Sequence, residues 1–170
     1  MENGFSHLKY VEYHKELAEK CKEIQHNAKH NIAFFSTDAT EIKNKHGSSK
    51  SKIGDVILHL LDLRGRLKGK GDRITDEISG GFVIFVKHDY NKNDWYKMDV
   101  HLDRAKEIGM QVIAKIKHDS QQGCSPLDHF DMDRVSYRQT EIMFTNYVGY
   151  QFTFPVHSKQ PVQYKPDQWL

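Results

Sequence analysis

Met98, Leu102, Ala105, Gly109, Val112 and Ile116 recur at spacings of four, three, four, three and four. That is one apolar stripe along a helix of 3.6 residues per turn, and the most regular pattern in the chain. Ala105 and Gly109 in its middle let the helix lie close against a sheet. A strand to receive it follows later in the chain. Val148, Tyr150, Phe152, Phe154 and Val156 alternate with Gly149, Gln151, Thr153 and Pro155, which gives one core face and one wet face. The helix is expected over residues 94–118, capped by Asn93 or Asp94 and stopped before Gln121-Gln122-Gly123 and Pro126.

Other elements are arranged around that pair. Tyr10, Tyr13, Leu17, Cys21, Ile24 and Ala28 form a second helical stripe, and Ile32-Ala33-Phe34-Phe35 reads as a short buried strand. Residues 43–52 read as a polar, basic, exposed loop. Residues 56–63 fit a buried strand, although Ile53, Ile57, Leu60 and Leu61 also fit helical spacing. Strand is preferred because residues 64–72 follow, rich in glycine and charge, a poor helix and a good turn region. The return strand runs from Ile74 through Gly80-Gly81 into Phe82-Val83-Ile84-Phe85-Val86. The result is a long hairpin whose distal half is too polar for a core, so it projects. Val135, Tyr137, Ile142 and Phe144 change parity, which suggests a bulge near residues 138–140.

The expected fold is α+β. A mixed, mostly antiparallel sheet of four or five strands carries two long helices on one face and one projecting β-hairpin. The 170 residues suffice for one domain, taken as 1–156, with a tail over 157–170 that carries Tyr164 and Trp169. With 38% hydrophobic and 28% charged residues the chain reads as folded rather than disordered. Its longest unbroken apolar run, residues 82–86, is far short of the roughly 20 residues of a membrane helix, so no membrane partner is expected. No secretory signal is visible at the N-terminus, and Cys21 and Cys124 have no Cys-x-x-Cys spacing, so a reducing place of synthesis is the default.

Catalytic and metal motifs are weak. If extended, His129, Asp131 and Asp133 share one face with ligand types suited to zinc, manganese or iron; a solvated strand start is the simpler reading. His26 and His30 stand one helical turn apart but lack the glutamate of a His-Glu-x-x-His site. Cys124 with Asp128 and His129 has no strand-to-helix elbow to activate it. Gly65, Gly69 and Gly71 match neither a dinucleotide nor a phosphate-loop pattern. No enzyme and no cofactor are expected.

Charge distribution is more informative. Between Lys43 and Arg73 nine basic residues face three aspartates, a net of +6 that leaves −4 for the rest of a chain whose total is +2. Lys50, Lys52, Arg64, Arg66, Lys68, Lys70 and Arg73 are therefore candidates for contact with a nucleic-acid backbone or an acidic partner. No aromatic residue lies between Phe35 and Phe82, so base stacking is not indicated. Tyr164 and Trp169 are candidates for a partner interface.

The second half also carries a resemblance. Gly80-Gly81-Phe82-Val83-Ile84-Phe85-Val86, the long helix, Phe130-Asp131-Met132-Asp133-Arg134-Val135-Ser136-Tyr137, and Tyr147-Val148-Gly149-Tyr150-Gln151-Phe152-Thr153-Phe154 lead to Tyr164-Lys165-Pro166-Asp167-Gln168-Trp169. This resembles small proteins of phages and phage-like elements of Bacteroidota. The element order is similar to that of the tail-terminator and head-to-tail completion proteins of tailed phages. The resemblance implies a non-enzymatic subunit of a homo-oligomeric ring, assembled in the bacterial cytoplasm and residing in the virion. Its partners would be neighbouring connector or tail proteins, and its loops would line a lumen that DNA passes through. The alternative is an accessory protein that binds nucleic acid without sequence preference through residues 43–73.

Overall fold

A computed structural model describes residues 5–36, 53–70, 73–89, 95–127, 130–140 and 146–161. In chain order they form α1 (His7–Lys20), β1 (Ile32–Phe35), β2 (Ile53–Leu60), β3 (Arg64–Lys70), β4 (Arg73–Lys87), α2 (Trp95–Gln121), a 3-10 turn (Met132–Arg134), β5 (Ser136–Gln139) and β6 (Tyr147–Pro161). The strands make one open six-stranded sheet in the order β1-β2-β4-β6-β5, with β3 also on β4. Only β1 runs parallel to its neighbour; the other pairings are antiparallel.

Both helices cover the same face. Tyr10, Tyr13, Leu17 and Ala18 of α1 and Ala105, Ile108, Val112, Ile113 and Ile116 of α2 share one core cluster. Beneath them lie Val56, Leu58 and Leu60 of β2, Phe82, Ile84 and Val86 of β4, and Phe152, Phe154 and Val156 of β6. The period-two alternation of each strand sends these even-numbered side chains to the helices. Gly109 lets α2 sit directly on the ring of Phe152, where an added Cβ would meet ring carbons at 2.0 and 2.3 Å. On the other face Phe35, Ile57, Val83, Phe85 and Tyr147 form a smaller cluster. There the Tyr147 hydroxyl donates to the carbonyl of Gly54 at 3.0 Å and ties β6 to β2 across β4.

Four sequence expectations need adjustment. The sheet has six strands rather than four or five, because the segment before the return strand divides into β2 and β3 at residues 61–63. Residues 64–70, expected as a turn region, are a strand instead. All seven β3 residues pair in register with β4, from Arg64 with Ser79 to Lys70 with Arg73, and those ladder bonds outweigh the poor strand propensity of Gly65 and Gly69. α1 stops at Lys20 rather than continuing to Ala28. Asn27 and Asn31 exchange backbone bonds at 2.8 and 2.9 Å, and the Asn31 amide donates to the carbonyls of Ile24 and Gln25. Such local bonds compete with helix. Finally, backbone pairing continues past residue 156, with His157 opposite Glu77 and Pro161 opposite Thr75, so β6 takes up the first five residues of the expected tail. The expected loop at 43–52 and the parity change at Ile142 and Phe144 lie outside the described residues.

Candidate functional site

The projecting element is a three-stranded arm, not a bare hairpin. β3, the first half of β4 and the last third of β6 lie side by side beyond the end of β2. β4 is the fixed reference for its faces. Ile78 packs into the helix-side core, so its neighbours Glu77 and Ser79 point to the helix-free side. Residues directly opposite in an antiparallel pair share a side. Arg64 opposite Ser79, Arg66 opposite Glu77 and Lys68 opposite Thr75 therefore present their charges on the helix-free face.

β5 extends that face. Arg138 stands opposite Gln151, which stands opposite Val83, so it too points away from the helices. Arg134, in the turn before β5, reaches Glu77 at 2.9 Å while Lys68 holds the other Glu77 oxygen at 2.8 Å. The hydrogen bonds from Lys68 and then Arg134 hold the Glu77 carboxyl down at about 2, so it stays ionised and occupied. Arg64, Arg66 and Arg138 form no ion pair among the described residues. Arg134 and Arg138 were not singled out in the sequence, where they lie some sixty residues from the basic segment. The alternation Ser136, Arg138, Thr140 was their only local signal.

Of the other residues singled out, Lys70 and Arg73 face each other where β3 meets β4. Lys50, Lys52, Tyr164, Trp169 and His129 lie outside the described residues. Residues 131–133 do not continue in the extended geometry that would put Asp131 and Asp133 on one face. Asp131 caps the 3-10 turn, accepting from the Asp133 N–H at 3.0 Å, and Asp133 lies within that turn. Among the described residues no group of three or more His, Cys, Asp or Glu side chains is arranged to hold a metal ion. His26 and His30 are not on a helix; the His26 Nδ1 accepts the Ala33 N–H at 3.1 Å and so stabilises the loop. Cys124 is exposed.

A cleft of about 610 Å³ opens at the opposite end of the sheet, lined by Asp55, Val86, Lys87, His88, Asp89, His101, Arg104 and Asn146. His101 donates through Nδ1 to the Lys87 carbonyl at 2.7 Å, and the buried His88 ring meets it edge-on at 5.4 Å. In the cleft, Lys87 pairs with Asp55 at 3.6 Å and Arg104 with Glu23 beside it at 2.8 Å, whereas Arg64 and Arg66 on the arm form no ion pair among the described residues.

Among the described residues no helix is long and apolar enough to cross a membrane. No protein-family model, no curated protein and no solved structure matches the chain.

Proposed function

We propose that the protein is a non-enzymatic structural subunit that forms or joins a ring, of the kind found at the head-tail connector or tail end of a phage or phage-like particle. The arm is the observation that carries this reading. Seven rungs of β3–β4 ladder extend past β2, and Arg64 through Gly69 are exposed. An ordered extension with so little interior of its own gains its use from a macromolecule that it touches. The resemblance of the second half to phage completion proteins supplies the setting.

Light scattering on the untagged chain across a concentration series tests it. A closed species of defined stoichiometry supports the ring. A chain that stays monomeric at every concentration, yet binds duplex DNA of any sequence with strong salt dependence, replaces it with the second reading, a sequence-independent nucleic-acid-binding protein. The observation favouring that alternative is that Arg64, Arg66 and Arg138 share one face and form no ion pair among the described residues. Three phosphate contacts would give a slope of about −2.7 in log affinity against log salt on duplex DNA.

A further inference from the structure

The outer face of α2 carries a stripe that its own fold does not use. Asp99, Asp103 and Glu107 follow one another at i, i+4 and i+8, are exposed, and form no ion pair among the described residues. Like charges four residues apart weaken a helix, and the favourable field of a helix N-terminus fades after the first turn. Lys106, three residues after Asp103, is turned onto the Tyr137 ring at 5.2 Å, and Arg104, three residues before Glu107, is held by Glu23 at 2.8 Å. Beside the stripe stand Trp95, Tyr96 and Val100, at 71%, 77% and 47% exposure. At 3.6 residues per turn all six side chains fall within about 140° of arc.

This stripe and the basic row of β3 are complementary in sign and in spacing. Carboxylates at i and i+4 on a helix repeat about every 6 Å along its axis. Cations at i and i+2 on a strand repeat about every 6.8 Å. The three carboxylates stand against Arg64 and Arg66, since Lys68 is already held by Glu77 at 2.8 Å. They cannot meet within one chain, because α2 lies on the helix side of the sheet and Arg64, Arg66 and Lys68 point to the other.

We propose that the α2 face bearing Asp99, Asp103 and Glu107 receives the Arg64 and Arg66 row of a second copy, head to tail. The inference rests on the assembly reading and names the partner of the arm. Such a contact is heterologous, so repeating it closes a ring or grows a filament according to the rotation between copies. The carboxylates on α2 and the absence of aromatics across the arm favour a protein partner over nucleic acid.

Two charge-reversal variants test it, R64E/R66E and D103K/E107K. All four positions are exposed, and circular dichroism checks that each variant folds. Each alone should dissociate, with at least a roughly tenfold rise in the dissociation constant, since like charges are brought together across the interface. Mixed in equal amounts they should associate again, because each reversed surface meets its complement on the other variant. If the wild type associates and both variants associate equally well, the contact is elsewhere; the inference is overturned while the assembly reading stands. If the variants dissociate but mixing restores nothing, the pairing of these two rows is overturned. A wild type monomeric throughout the series overturns this contact between copies, and the assembly reading then stands only as a subunit that joins a ring of a partner protein. Loss of DNA binding in R64E/R66E with self-association unchanged assigns the arm to nucleic acid and overturns the inference.

Discussion

Two buried side chains on α1 set how the chain responds to pH and to small deletions. His14 is fully buried. Its Nδ1 donates to the Tyr10 carbonyl at 2.8 Å, while Nε2 has no partner among the described residues. Burial pushes the imidazole down to about 4, with the Tyr10 carbonyl opposing. The unfolded chain titrates this group near 6.5 and binds the proton first as pH falls. The stability contributed by neutral His14 is therefore complete above about 6.5 and lost progressively down to about 4, on the order of 3 kcal/mol in all. Urea unfolding at pH 7 and pH 4 should show that loss in the wild type and a smaller one in H14F. Tyr10 serves a different need. Where β2 ends and β3 has not begun, the Gly81 N–H has no strand partner, and the Tyr10 hydroxyl accepts it at 3.1 Å. Y10F leaves that buried donor unpaired and should cost about 1–3 kcal/mol, measured by chemical denaturation. G80A should be at least as damaging, since its Cβ would stand 2.5 Å from the same hydroxyl oxygen. Neither role was legible in the sequence. A tyrosine on a helical stripe reads as core, and its hydroxyl's partner lies 71 residues away.

Among the elements, α2 and the arm have contrasting stability. The α2 stripe was readable because one helix meets one sheet face and every position on it has the same task. The arrangement leaves no spare space at Gly109, so G109A should push α2 off Phe152 and cost about 1–3 kcal/mol, seen as a lower melting temperature. β3 was misread because its glycines and charges are poor local signals for strand, and only pairing with β4 makes it one. Because it lacks a core beneath it, β3 should open without global unfolding. Hydrogen exchange should find its amides at least roughly tenfold less protected than those of residues 82–86, which lie between β2 and β6.

For the whole molecule the sequence yielded the class of fold and the two helices on one face, because apolar periodicity carries that information locally. It did not yield the working surface. Arg134 and Arg138 join the face of Arg64 and Arg66 only through the β3-β4-β6-β5 order, and strand order is a property of long-range pairing. The same holds for the separation of the α2 carboxylates from the β3 cations, which is set by the sides of a shared sheet. An association carried by those exposed charges should be salt-sensitive. The mass seen by light scattering should fall as salt rises from about 0.1 to 1 M, where the Debye length shrinks from about 10 to 3 Å. A contact dominated by Trp95, Tyr96 and Val100 would instead persist.

The break between β2 and β3 at residues 61–63 also separates two design variables. The body of the sheet ends there, and beyond it the arm is a repeating ladder whose length is free of the core. Inserting one residue in β3 and one in β4 part-way along the arm would turn every more distal side chain to the opposite face. Inserting two in each would lengthen the reach by about 6.8 Å and leave the charged face as it was. The reach of the arm is thus a quantity that changes in pairs of residues, and a lineage of such chains could adjust it to neighbours of different size without repacking any helix.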